Sequence, residues 1–130
     1  MRVANPPLIS IVDDDESVRE SLDGLFRSIG FSVKVFPSAE AFLKLDNLSD
    51  IDCLILDVRM PGMDGLELQR RLIASEQKIP VIFITAHESD RDVRARALRN
   101  GAVDFLGKPL GEDVLLRAVR AALSQKSGAN

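Results

Sequence analysis

Leu8-Ile9-Ser10-Ile11-Val12-Asp13-Asp14-Asp15 is the stretch from which the fold of this chain can be read. A short run of mostly apolar, β-branched residues stops abruptly at three acids. Such continuous runs mark strands buried on both faces, as in a parallel sheet. The pattern recurs: Cys53 to Leu56 ends at Asp57, Val81 to Ile84 ends at Thr85, and Ala102 to Leu106 is followed by Gly107 and Lys108. In an open parallel sheet every strand delivers its C-terminal end to the same side, where such folds place their ligands. Asp13, Asp14, Asp57, Thr85 and Lys108 are therefore expected in one shallow pocket.

The intervening segments read as helices. From Glu16, the apolar residues Val18, Leu22, Leu25, Phe26 and Ile29 recur every three or four positions, and Gly30 follows as a stop. Phe31 to Phe36 alternates apolar residues with Ser32 and Lys34, the pattern of a half-exposed edge strand. Ser38 then caps a helix carrying Ala39, Phe42, Leu43 and Leu45. Pro61-Gly62 and Asp64-Gly65 mark a turn before a helix with Leu66, Leu68, Leu72 and Ile73 that ends near Ser75. Ser89, three residues before Asp92, reads as the cap of a helix through Leu98, with Asn100-Gly101 as its stop. A last helix runs from about Glu112 to Leu123, with Val114, Leu115, Ala118, Val119 and Ala122 inward. Five strands alternating with five helices imply an α/β, doubly wound parallel sheet, and the edge character of the second strand suits the flavodoxin-like order 2-1-3-4-5.

The expected pocket has a definite chemistry. Two carboxylates about 4 Å apart repel by roughly 4 kcal/mol at an effective dielectric near 20, so an acidic trio calls for a cation among its members. Oxygen donors favour a small hard ion, which points to Mg2+.

With these residues in view, the chain resembles the receiver domains of two-component response regulators. The motifs that carry the resemblance are Ile11-Val12-Asp13-Asp14-Asp15, Leu56-Asp57-Val58-Arg59-Met60-Pro61-Gly62-Met63-Asp64-Gly65, Ile84-Thr85-Ala86 and Gly107-Lys108-Pro109. Together they span nearly the whole chain, from Leu8 to Leu123. The resemblance implies a phosphorylation-controlled switch in which Asp57 accepts a phosphoryl group from a sensor histidine kinase or phosphotransfer protein. It also implies that Asp14, Asp57 and the backbone carbonyl of Arg59 ligate Mg2+ directly, and that Asp13 does so through water. Lys108 would pair with Asp57 and then with phosphoryl oxygen, the Lys108-Pro109 peptide being cis. Thr85 would donate its hydroxyl to a phosphoryl oxygen with the Ala86 amide assisting, and Phe105 would take the place of a switching aromatic. Having no hydroxyl, Phe105 can report only through ring packing. Output would pass to an output domain, a target protein or a phosphorylation-dependent dimer through the face built from the fourth helix, fifth strand and fifth helix. Ser38-Ala39-Glu40-Ala41-Phe42-Leu43, Arg59-Met60-Pro61 and Gly101-Ala102-Val103-Asp104-Phe105 resemble receivers of the nitrogen-fixation type.

Composition agrees and excludes other classes. A chain of 130 residues with 45% hydrophobic content supports one domain, residues 8–123, with residues 1–7 as an extension and 124–130 as a tail or the start of a linker. A formal net charge of −3 argues against direct nucleic-acid binding. Arg91, Arg94, Arg96, Arg99, Arg117 and Arg120 read as solvated helix faces paired with nearby acids. The single Cys53 lies in an apolar run and reads as a buried, inert thiol in a reducing compartment. No apolar run approaches a membrane span and none begins the chain as a signal peptide would, so a cytoplasmic location is expected. His87 is the sole histidine and has no second partner for a transition-metal site, although with Arg59 it would border the pocket. Asp15 and Glu16 are expected to stabilise the start of the first helix.

Three rival readings each meet an obstacle in particular residues. A Mg2+-dependent phosphohydrolase working through an aspartyl phosphate would carry an acid two residues after the nucleophile, where this chain has Arg59. A flavin or nucleotide binder would need a phosphate-cradling loop after the first strand, where three acids stand instead. A receiver-like scaffold that is never phosphorylated would have no need of the full residue set.

Overall fold

The computed structural model describes residues 5–86 and 90–126. The strands β1 (Leu8–Val12), β2 (Ser32–Phe36), β3 (Cys53–Asp57), β4 (Val81–Thr85) and β5 (Asp104–Gly107) alternate with helices α1 (Glu16–Ile29), α2 (Ala39–Leu43), α3 (Gly65–Ala74), α4 (Arg91–Arg99) and α5 (Glu112–Lys126). All strand pairs are parallel and the order is β2-β1-β3-β4-β5, as expected from the run pattern. In register, Val12 lies beside Leu56, Leu56 beside Phe83, and Thr85 beside Gly107. Asp13, Asp57, Thr85 and Lys108 are thereby delivered to one edge.

Alternate strand residues feed two cores, because successive side chains point to opposite faces. Ile9, Ile11, Ile55, Ile82 and Ile84 pack with Leu22 and Phe26 of α1 and with Leu115 and Val119 of α5. On the other face Val12, Leu54, Leu56 and Phe83 pack with Phe42 of α2, Leu68 and Leu72 of α3 and Ala97 of α4. Cys53 is fully buried, and that burial pushes its thiol up to about 12, so it stays protonated.

The helix ends follow local chemistry. Asp15 caps α1 by accepting from the Ser17 amide, and Gly30 closes it with φ 107, in the left-handed region that glycine tolerates. Ser38 and Asp64 cap α2 and α3 in the same way.

Several expected boundaries move. β2 begins at Ser32 and β5 at Asp104, two residues later than the start of its apolar run, because pairing with β4 begins at Asp104. α2 stops at Leu43, leaving Leu45 to pack from outside the helix, and a short 3-10 turn at Leu48–Asp50 was not foreseen. α5 continues to Lys126, three residues past its expected end. Ile29 and Val114, expected inward, are 41% and 49% exposed. Each sits at the margin of its helix's apolar stripe, where the sheet no longer covers it. The cap of α4 is Asp90, which accepts from the Val93 amide; Ser89 lies outside the described residues, as does His87.

Gly65, the first residue of α3, is buried against the end of β3, and a Cβ there would run into the carbonyl oxygen of Asp57 and crowd the Phe83 ring. Gly65→Ala is expected to lower stability by about 1–3 kcal/mol, the usual penalty for overpacking. A urea midpoint equal to that of the unaltered chain would contradict this close approach.

Candidate functional site

The end of β1 supplies the most buried acid. Asp13 is fully buried, and its Oδ1 accepts from the Asp15 amide at 2.9 Å. Its backbone carbonyl accepts from Arg19 Nη1 of α1 at 2.8 Å, which ties the acidic segment to the helix behind it. Asp14 is exposed at the rim. Asp57, 5% exposed, ends β3, and carboxylate oxygens of Asp13, Asp14 and Asp57 come within 4.8 Å of one another.

Lys108 answers this negative charge. Its Nζ lies 3.0 Å from Asp13 Oδ2 and 3.7 Å from Asp57 Oδ2. Its backbone amide donates to the Thr85 carbonyl at 2.8 Å, and its peptide bond to Pro109 is cis. Burial works against the ammonium, but hydrogen bonding to Asp13 and the charges of Asp57, Asp13 and Asp15 hold it above the usual lysine value. Asp57 moves further. Burial and the neighbouring Asp13 charge raise its carboxyl to about 7, against the opposing pull of Lys108 and the Arg59 amide.

Thr85 ends β4 and is 1% exposed; Ala86 follows it and is exposed. Phe105 of β5 is 3% exposed, with its ring 6.2 Å from that of Phe83. The Arg94 guanidinium sits 5.9 Å from the Phe105 ring centroid while Nη1 donates to the Phe105 carbonyl at 3.0 Å. None of Arg91, Arg94, Arg96, Arg99, Arg117 and Arg120 forms an ion pair among the described residues, contrary to the expected pairing. For the four on α4 the helix itself offers one acid, Asp92, whereas nothing in the structure explains why Arg117 and Arg120 leave Glu112 and Asp113 of α5 unpaired.

Three contacts escaped sequence reading. Arg59 Nη2 bonds Asp90 Oδ2 at 3.0 Å, so the side chain two residues past Asp57 reaches across to the start of α4. Glu40 of α2 accepts from the Met63 amide at 2.9 Å, and that bond holds its carboxyl below the usual value. Gln69 of α3 is buried and donates to the Ala97 carbonyl of α4 at 3.1 Å. Each pairs residues far apart in sequence. Only Asp90, three residues before an apolar Val93, carried a local signal, as a cap.

The donor set suits a hard divalent ion. Every acidic donor is a carboxylate oxygen, and among the described residues the buried Asp13 Oδ2 meets one cation, the Lys108 ammonium at 3.0 Å, against three clustered carboxylates.

Comparison with known proteins agrees with the geometry. The model for the response regulator receiver domain matches residues 9–120, and the chain belongs to this family. The response regulator protein TodT of Pseudomonas putida is 52% identical over 116 residues, covering 89% of this chain and 51% of that protein. The transcriptional regulatory protein FixJ of Bradyrhizobium diazoefficiens is 42% identical over 118 residues, covering 90% of this chain and 57% of the other. Among solved structures, the response regulator StyR superposes with a TM-score of 0.89 at 45% identity, over 95% of this chain and 62% of that one. The crystal structure titled FixJ-N gives 0.81 at 40% identity, over 93% and 96%. The chain spans about half the length of the curated relatives it matches. Receiver domains are signalling switches controlled by phosphorylation, they work with histidine kinases and output domains, and they bind Mg2+ at an acidic pocket of this kind. No described helix is long and apolar enough to cross a membrane.

The raised Asp57 carboxyl makes stability depend on pH. Between the usual carboxylate range and about 7, the folded metal-free chain holds a proton that the unfolded chain has released, so stability falls as pH rises through that window. Asp57→Asn cannot ionise. In EDTA it is expected to be more stable than the unaltered chain at about pH 8, with the difference shrinking toward about pH 5. Urea midpoints at the two pH values check this, and an equal difference at both would contradict it.

Proposed function

We propose that Asp57 accepts a phosphoryl group from the phosphohistidine of a sensor histidine kinase or phosphotransfer protein. The observation that carries this reading is the Lys108 ammonium set between Asp13 and Asp57, with Asp14 in the same cluster. In the transfer an Asp57 carboxylate oxygen bonds to phosphorus as the phosphorus–nitrogen bond breaks. The imidazole nitrogen leaves with the bonding pair, and an acyl phosphate forms.

Catalysis of such a transfer is mostly a matter of positioning and charge neutralisation. Asp14, Asp57 and the Arg59 carbonyl would hold Mg2+ directly and Asp13 would hold it through water; when bound, the ion neutralises phosphoryl oxygens. Lys108 passes from Asp57 to a phosphoryl oxygen. Thr85 donates its hydroxyl to a second oxygen with the Ala86 amide assisting, and Phe105 repacks in response. The change reaches a partner, an output domain or a second copy through the face of α4, β5 and α5. Self-dephosphorylation is slow, because no side-chain acid stands two residues after Asp57 to activate water. Arg59 stands there, and its guanidinium is engaged with Asp90.

Incubation with acetyl phosphate and Mg2+ is expected to add the mass of one phosphoryl group. The addition should be absent in Asp57→Asn and in EDTA. An adduct that persists in either would overturn the assignment.

A further inference from the structure

Arg59 joins the reacting carboxylate to the start of α4. Its amide nitrogen stands 3.4 Å from Asp57 Oδ1, while its side chain donates to Asp90 Oδ2 at 3.0 Å. The other Asp90 oxygen accepts from the Val93 amide at 3.1 Å, so one carboxylate both caps α4 and holds Arg59.

Three properties make this link exchangeable. The two side chains are 55% and 32% exposed, and ion pairs this open to water are weak. α4 fully buries only Ala97, with Val93 and Leu98 half-buried against the core, and its polar ties are few, from Arg94 to the Phe105 carbonyl and from Gln69 to the Ala97 carbonyl. A phosphoryl group on Asp57 would place a multiply charged anion with three acceptor oxygens two residues from Arg59. Such a group matches the guanidinium fork better than a singly charged carboxylate does.

We infer that the Arg59 side chain is a strap that changes partners, holding Asp90 in the resting chain and a phosphoryl oxygen once Asp57 is modified. Phosphorylation thereby releases the residue that caps α4. The inference rests on Asp57 being the phosphoacceptor. It makes Asp90 a competitor of the phosphoryl group for Arg59, so removing either partner has opposite consequences.

The test is calorimetric titration with beryllofluoride, a phosphoryl mimic, in excess Mg2+. It compares the unaltered chain with Asp90→Asn, which keeps an oxygen to cap α4, with Arg59→Gln, and with the double variant. Asp90→Asn is expected to bind several-fold tighter and Arg59→Gln several-fold weaker, and the gain from Asp90→Asn should vanish in the Arg59→Gln background. The Val93 amide resonance should shift on addition of the mimic to the unaltered chain, and in resting Asp90→Asn it should already be displaced. A gain that survives without Arg59 would mean that Asp90 acts only through its charge and would overturn the strap. Weaker binding in both single variants would overturn it as well, leaving a structural contact. Failure of the unaltered chain to bind beryllofluoride would remove the phosphoacceptor reading and the strap with it.

Discussion

The Lys108 ammonium, 3.0 Å from Asp13 and 3.7 Å from Asp57, is the interaction on which the site depends. Burial, and then the charge of Asp13 at the adjacent strand end, push the Asp57 carboxyl up. One lysine offsets part of that rise. It directly follows the last strand of the sheet and is held there by its own amide bond to the Thr85 carbonyl, so the balance of charge is built into strand order and register. The third acid, Asp14, stays at the rim, and the cluster keeps a surplus of negative charge suited to a hard cation.

The rest of the molecule divides into rigid and adjustable parts around this pocket. The inner strands β3 and β4 are buried along their whole length and pack helices on both faces, which leaves the ends of β3 and β4 little freedom. α4 differs. It has one buried residue, and its arginines face water or the Phe105 carbonyl. A ligand that carries a two-state element from 1:99 to 99:1 must favour one state by about 5.5 kcal/mol. An element with one fully buried residue, two half-buried ones and a few polar bonds is held less firmly than the inner strands, so a change of that size moves α4 first. The charge change at Asp57 and the loosely held helix beside it are thus complementary.

Strand order, helix count and the convergence of Asp13, Asp14, Asp57, Thr85 and Lys108 were legible because they follow from local pattern. Apolar runs terminate at polar residues, and parallel topology does the rest. Ser38 was readable as a cap for the same reason. The contacts of Arg59 with Asp90, Glu40 with Met63 and Gln69 with Ala97 were not, since each joins side chains separated by more than twenty positions and none leaves a periodic trace. The cap of α4 was misplaced by one residue because Ser89 and Asp90 are both good caps by type. The solvent-facing arginines of α4 were misjudged because counting nearby acids ignores that Asp90 is already engaged and that α4 holds only Asp92.

Locating the modified residue tests the central claim most directly. After reaction with acetyl phosphate and Mg2+, borohydride reduces an acyl phosphate on aspartate to homoserine, and fragmentation of the peptides shows where the homoserine lies. The geometry predicts homoserine at Asp57 alone. Homoserine at Asp13 or Asp14, with Asp57 intact, would contradict the account, because a residue assigned only to hold the cation would then be the one that reacts.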